Sequence, residues 1–467
     1  MEHSSLKVAE NPPMLADSSV SILTLAIGTS VALDRQSIRQ VLPSATTGRI
    51  DSRIIISRAK NEKCIDRKYF AFRLSPGSLI TMNVNRVRHL ENAIVHFETG
   101  TSSSDCARLS IESHLRAYSR AHKKKLSEAD KIWISDKFKD MHRWRALVDH
   151  FTEEPKTVSN RLRTYFSNQS WRSYSESKTL PEWTRVSMPQ VLFERLSKSF
   201  GKQKAIEIGS VWNEKSPSFL RINPLISTRE RVSALLSSKK ISVEDCRHSK
   251  IGLRLTRAGE LENLRDLTER IFDLQDESCQ LAGQQVDVKP GDNVLDFCSG
   301  SGGKSLVFGP ALQGKGHLYL HDINSRYLTQ AKIRLRSAGI KNYSCLSSDS
   351  CDLGNRLKRT MDWVLVDAPC TGSGQFRRYP ERKWLFSEDL LYDSVEKQRI
   401  IFAEAVKYLK KSGKIVFCVS SILPEECIEQ VKYFCNEHKL YLTNEPVHSL
   451  PESHGMDGFF TAVLEKQ

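Results

Sequence analysis

Asp296, Asp322 and Asp349 stand at or near the ends of three successive apolar runs, and the first run passes at once into glycines at 300, 302 and 303. Acids placed this way can hold the hydroxyls and base of an adenosine ligand that has no pyrophosphate. The glycines supply the φ > 0 and close-approach positions that let backbone N–H groups face such a ligand at a helix start. Asp322 falls nineteen positions after Gly303, where a Rossmann-like site expects its ribose-binding acid, and Asp349 would lie near the adenine. Cys298, Ser299, Gly300, Ser301, Gly302, Gly303 and Lys304 form the candidate cradle. Gly303-Lys304-Ser305 imitates the end of a phosphate-gripping P-loop, but Cys298 occupies that motif's first glycine position, which excludes it. A fourth apolar run, Trp363 to Val366, ends in Asp367-Ala368-Pro369-Cys370. An acid, a proline-stiffened turn and a thiol there sit where the reactive end of the ligand should lie. Cysteine is intrinsically nucleophilic, so this pair is the candidate chemistry.

Positioning these groups requires strands and helices in alternation. Val294 to Phe297 reads as a buried parallel strand, Asn324 to Gly339 as a helix with Tyr327, Leu328, Ala331, Leu335 and Ala338 on one face, and KIVFCVSS as a fifth strand. Pro424, Glu425 and Glu426 suit the start of the helix after it. Strict alternation over 266–467 predicts a doubly wound parallel sheet with ligands at the strand C-termini. Residues 186–265 read as a small α/β lead-in subdomain containing MPQVLFERLSKSFG and TRERVSALLSSKK as helices and SFLRIN as a strand. Residues 88–166 read as all-helical, with a capping box formed by Ser127 and Asp130. The polar, serine-rich Ser167 to Thr184 reads as a linker, and residues 1–87, which contain the strand-like Ile54 to Ile56, receive no role.

Lys and Arg number 70 against 55 Asp and Glu, a net charge of +15, which favours a polyanionic partner, nucleic acid first. Lys123, Lys124 and Lys125, with Arg116, Arg120 and His122, form a basic cluster that suits phosphate. The eleven cysteines are odd in number and scattered without a C-x-x-C, so neither a disulfide framework nor a zinc knuckle is indicated. No metal is expected. The run from Val20 to Leu33 is interrupted at Gly28 to Ser30 and is too short for a bilayer, so the expectation is a cytoplasmic monomer with no membrane partner.

DFCSGSGGKS, HDINSRYL, DAPCTGSGQFRRYPERKW and SSILPEE, with QDESCQLA ahead and DGFFTAVLEK at the end, resemble the Sun-type family of S-adenosylmethionine-dependent RNA cytosine-carbon-5 methyltransferases over about Ser187 to Lys466. LRAYSRAHKKKLSEADKIWISDKF is similar to the helical, antitermination-factor-like RNA-binding domain of the bacterial ribosomal-RNA members. The resemblance implies a class I methyltransferase fold, S-adenosyl-L-methionine as cofactor and RNA, ribosomal RNA first, as substrate. It implies that a thiolate attacks carbon 6 of cytosine, that Asp367 orients base and cofactor, that Cys370 assists release, and that Arg377, Arg378 and Lys383 face RNA. The family's attacking thiol belongs to a Thr-Cys pair before the Pro-Glu-Glu run, and here Val419-Ser420 stands in its place. Three readings stay open: Cys370 attacks, as the Pro-Cys thiol does in DNA cytosine methyltransferases; Cys418 or Ser420 attacks; or the chain binds RNA and cofactor without cytosine chemistry. Methylation of a different atom would need no thiol. The family's Ala-Ala-Pro or Ala-Ser-Pro is replaced by Ser299-Gly300-Ser301, so the cradle loses its stiffening proline.

Overall fold

A computed structural model describes residues 69–75, 78–100, 110–167, 169–257, 270–347 and 356–466. Strands β1 (Tyr69–Ser75) and β2 (Ser78–Asn83) pair antiparallel and lead directly into helix α1 (Val84–Gly100). Helical structure therefore begins a few residues before the expected boundary at 88. Ile54 to Ile56 lie outside the described residues.

Helices α2 (Ile111–Ala121), α3 (Glu128–Arg143), α4 (Arg145–His150) and α5 (Val158–Ser167) bury a common core with α1, built on Leu90, Ile94, Phe97, Leu115, Phe138 and Leu162. The capping box forms: Ser127 Oγ accepts from Asp130 N, and the Asp130 carboxylate accepts from Ser127 N at 3.0 Å. The serine-rich stretch that follows is not a linker. It makes a 3-10 turn, Gln169–Glu176, whose Trp171 is 3% exposed and completes the helical core, and then helix α6 (Glu182–Arg185). One indole supplies enough apolar area to dock a polar segment.

Helices α7 (Gln190–Phe200) and α8 (Lys202–Trp212) meet at Gly201, where φ is +84°. Their apolar faces pack on Phe376, Phe386, Leu391, Val395, Ile422 and Leu423 of the carboxyl-terminal region, rather than on the sheet that follows them. That sheet is antiparallel, in the order β4-β5-β3-β6, from β3 (Phe219–Ile222), β4 (Val243–Asp245), β5 (Gly252–Leu255) and β6 (Phe272–Leu274). Helix α9 (Arg229–Ser238) covers it with Val232 and Leu236. Because β6 pairs with β3, the lead-in sheet extends past residue 265, where the sequence pattern ended it.

The carboxyl-terminal sheet is built on parallel strands β7 (Asn293–Asp296), β8 (His317–Asp322), β9 (Tyr343–Ser347), β10 (Met361–Asp367) and β11 (Leu409–Val419), in the order β11-β10-β7-β8-β9. It is a Rossmann-like α/β sheet with core clusters on both faces. Helices α10 (Glu277–Gln284), α11 (Ser305–Phe308), α12 (Ser325–Ser337), α13 (Glu388–Ala405) and α14 (Ile428–His438) belong to the same region. The expected all-parallel sheet is corrected at one edge, where β14 (Phe459–Lys466) runs antiparallel to β11 and also pairs with β12 (Leu440–Leu442) and β13 (Val447–Ser449). No crossover helix separates these last three strands, and a parallel pair requires one. Strand order reverses between β7 and β10, which puts the site at the C-terminal ends of β7, β8, β10 and β11.

Candidate active site at the sheet switch point

From β7 the chain turns through Phe297 to Lys304. Gly300 and Gly302 adopt φ of +52° and +76°, whereas Gly303 does not enter the left-handed region expected of it. The turn is held from four sides. Ser299 N donates to His321 O at 3.0 Å, Gly300 N to Asp322 Oδ2 at 2.9 Å, Gln275 Nε2 to Gly303 O at 3.0 Å, and Arg334 Nη1 to both Ser301 O and Ser301 Oγ at 2.8 Å. Arg334 of α12, itself paired with Asp273, thus supplies the order that a proline in the loop would have given. Asp322 lies where the spacing put it, and its other oxygen takes Asn324 N at 2.8 Å. Asp349 lies outside the described residues. Cys298 is half-buried against the core, and burial followed by the Asp367 charge pushes its thiol up, so its part in the cradle is left to its backbone.

Asp296 closes β7 at 1% exposure. Ser305 Oγ donates to its Oδ2 at 2.7 Å, while Oδ1 is buried without a partner. Burial pushes this carboxyl up to about 7; the Ser305 hydrogen bond opposes the shift and the Asp367 charge adds to it. An orphaned acceptor beside a glycine turn fits a ligand that carries an ammonium group.

Beside the turn is a small, narrow cavity lined by Ser278, Cys279, Ala282, Lys304, Asp367, Cys418, Val419, Ser420 and Phe459. Lys304 forms an ion pair with Asp367. Burial, the largest single cause, would lower the Lys304 ammonium, but the Asp367 charge and hydrogen bond together with Cys418 and Cys279 outweigh it and the net shift is upward, so Lys304 stays charged. Asp367 and Cys418 are register neighbours on β10 and β11, and Cys418 Sγ donates to Asp367 Oδ1 across 3.6 Å. Ser420 lines the same cavity, and its carbonyl accepts from Gly374 N at 3.0 Å. Cys370 does not line it. That thiol packs half-buried against the core, and burial, then the Glu426 charge, pushes it up to about 12.

Glu426, legible in the sequence only as a helix-start acid, is fully buried and holds the Asp367–Cys370 turn to the end of β11. It accepts from Thr371 N at 2.8 Å, Thr371 Oγ1 at 2.6 Å and Ser421 Oγ at 2.6 Å. Gly374 and Gly458 exchange backbone hydrogen bonds with their surroundings so closely that a Cβ on Gly374 would meet Gly458 O at 2.0 Å.

The expected RNA-facing cations need correction. Arg377 and Lys383 are fully buried. Arg377 donates to Asp457 Oδ1 at 2.7 Å, to Glu452 O at 2.8 Å and to Gly455 O. Lys383 Nζ donates to Arg143 O, Ser187 O and Asn213 Oδ1 at 3.1, 2.8 and 2.9 Å. Arg378 bridges Asp457 and Asp276, both 2.8 Å away. Buried charges must be paired, and these cations found partners inside the fold rather than on a polyanion. Glu381 and Trp384 of the same segment reach the helical region, Glu381 accepting from Ile111 N at 3.1 Å and Trp384 donating to His142 O at 2.8 Å. The segment is therefore a clamp between helical region and sheet. Lys123, Lys124 and Lys125 are exposed at the end of α2.

Residues 284–465 match the family described as 16S rRNA methyltransferase RsmB/F, and residues 188–262 match the family described as Methyltr_RsmF/B-like, ferredoxin-like domain. The chain is 30% identical over 260 residues to ribosomal RNA small subunit methyltransferase B of Proteus mirabilis, covering 55% of this chain and 60% of that protein. To the protein of the same name from Photorhabdus laumondii it is 28% identical over 291 residues, covering 60% and 66%. The matches thus span under two thirds of these relatives' lengths. Among solved structures, NSun6 from Pyrococcus horikoshii, crystallised with SFG, superposes with a TM-score of 0.54 at 18% identity, covering 60% of this chain and 98% of that one. Among the described residues, no helix is long and apolar enough to cross a membrane and no cluster of His, Cys, Asp and Glu could hold a metal ion.

Proposed function

Over residues 188–262 and 284–465 the chain belongs to the Sun-type RsmB/F family of methyltransferases, and on that premise we propose that it transfers a methyl group from S-adenosyl-L-methionine to carbon 5 of a cytosine in RNA, with small-subunit ribosomal RNA as the substrate. The observation that carries the reading is the meeting of Asp367, Lys304 and cavity thiols at the switch point, beside a glycine turn closed by Asp322. The cofactor supplies an electrophilic methyl on a sulfonium. In this reading Asp322 holds its ribose, Asp349 lies near its adenine, the orphaned oxygen of Asp296 accepts from its ammonium, and Lys304 attracts its carboxylate. Asp367 orients the cytosine and serves the proton at ring nitrogen 3. Carbon 5 of cytosine is a poor nucleophile until a thiolate adds at carbon 6, so a thiol is the remaining requirement.

The proposed setting is the cytoplasm and the proposed state a monomer; the eight described cysteines are all free, as thiols remain in a reducing compartment. The exposed lysines 123 to 125 are the proposed contact with RNA phosphates. Transfer of labelled methyl to a small-subunit ribosomal transcript, with nucleoside mass spectrometry of the product, tests the reading: 5-methylcytosine is expected, and Asp367→Asn should abolish it. A second reading is favoured by Ser420, whose hydroxyl is a poor substitute for the family's thiolate: an RNA-binding member without cytosine chemistry. It predicts RNA and cofactor binding with no methylated product, or with a different methylated base formed without a thiol.

A further inference from the structure

Cytosine methylation, the reading on which this inference rests, needs a thiolate that reaches carbon 6, and four cysteines surround the site. Cys298 and Cys370 do not line the cavity. Cys418 does, but it is 1% exposed and its thiol is tied to Asp367. Its thiol is held well above the ordinary range by burial and then by that carboxylate.

Cys279 differs in lining the cavity from a helix and in the first charge that acts on it. It lines the cavity from the first turn of α10, three residues after the N-cap Asp276, where the helix terminus favours an anion although Asp276 already takes Ser278 N. It is half-exposed. The first charge acting on it is a cation: burial pushes its thiol up to about 11, but the next cause, Lys304, acts to lower it. For Cys370 and Cys418 the first charge to act is a carboxylate. When cofactor and base occupy the site, the groups that favour a sulfur anion there are the helix terminus and Lys304, which is shared with Asp367 and the cofactor carboxylate.

We propose that Cys279 is the attacking thiol, delivered from helix α10 across the cavity to the base rather than from strand β11. Its S–H proton passes to Asp367 and on to ring nitrogen 3 as the Sγ–C6 bond forms and the C5–C6 π pair shifts toward that nitrogen. The pair returns through carbon 5, which takes the methyl from the sulfonium. Loss of the C5 proton to solvent re-forms the C5–C6 double bond and breaks Sγ–C6. The proton on nitrogen 3 returns through Asp367 to sulfur, so one proton is released per methyl transferred.

The test uses the full chain with S-adenosylmethionine and a small-subunit ribosomal transcript containing 5-fluorocytidine, whose C5 fluorine cannot leave as a proton and so holds the adduct. Peptide mass spectrometry should find the nucleotide on the peptide containing Cys279. Cys279→Ser should lower 5-methylcytosine formation by at least about a thousandfold, the scale of losing a nucleophile. Iodoacetamide, applied to the RNA-free chain, should label Cys279 ahead of Cys370 and Cys418, a readout independent of activity. An adduct on Cys370 or Cys418, or unchanged turnover in Cys279→Ser, overturns the assignment while cytosine methylation stands. Absence of both 5-methylcytosine and any adduct overturns both.

Discussion

Replacing Lys383 with methionine separates two roles for the segment RRYPERKW. In the fold, the Lys383 ammonium is fully buried and is shared among the carbonyl at the end of α3, the carbonyl of Ser187 and the side-chain oxygen of Asn213. Methionine keeps most of the volume and leaves three buried acceptors without their donor. A buried acceptor left unpaired costs roughly 1–3 kcal/mol, so the lower bound for three is about 3 kcal/mol. Part of this is offset, because burial, with the nearby Arg143 charge, holds the Lys383 ammonium well below its ordinary range and methionine has no such penalty. A net loss of about 2 kcal/mol is expected. The pH dependence has a definite sign. The unfolded chain holds this proton more tightly, so native stability rises as pH climbs from the folded value toward the unfolded one near 10.4, and the gap to Lys383→Met widens over that window. Urea unfolding followed by tryptophan fluorescence at pH 7 and pH 9.5 measures both effects. An RNA-facing lysine would instead leave stability unchanged and reduce the salt dependence of RNA binding by about one ion. Stability within about 0.5 kcal/mol of the native chain, together with weakened RNA binding, would refute the clamp.

Asp296→Asn should remove a pH-dependent penalty. The native carboxyl is raised to about 7 by burial, so its contribution is favourable below the unfolded value near 3.9 and is lost as pH rises to about 7. The loss amounts to up to about 4 kcal/mol, at roughly 1.4 kcal/mol per unit, and denaturation at pH 4.5 and pH 8 should show the variant gaining on the native chain only at the higher pH. Glu426→Gln places an amide N–H₂ where Thr371 and Ser421 both donate, and calorimetry should show about 2 kcal/mol lost. Methyl transfer should fall roughly tenfold to a hundredfold as the Asp367 turn shifts. Replacing Lys123, Lys124 and Lys125 together with glutamine should lower the slope of log affinity against log salt by about 2 to 3 in filter binding, at about 0.7–0.9 per phosphate contact. Because all three are exposed, the fold should lose no more than about 0.5 kcal/mol.

What the sequence disclosed and what it withheld divide by the range of the physics involved. The glycine turn, the acid closing it from β8, the capping box at Ser127 and the parallel strands were legible because turn chemistry, caps and hydrophobic period act over a few residues. The serine-rich stretch was misread because composition averages over its eighteen residues while Trp171 alone decides where the turn Gln169–Glu176 sits. Arg377, Arg378 and Lys383 look solvated in a window of their own, since Asp457 lies 80 positions from Arg377 and the Arg143 carbonyl 240 positions from Lys383. The site divides the same way. Cys418 and Ser420 were legible as alternative attackers and both line the cavity, but no local pattern could bring Cys279 there, because α10 approaches from a segment ahead of the whole sheet. A missing thiol on one strand therefore says little about whether the site lacks a thiol. A cavity is closed by elements remote in sequence, and a nucleophile can be supplied from any wall that reaches the same atom, provided a base takes its proton and a nearby positive charge steadies the anion.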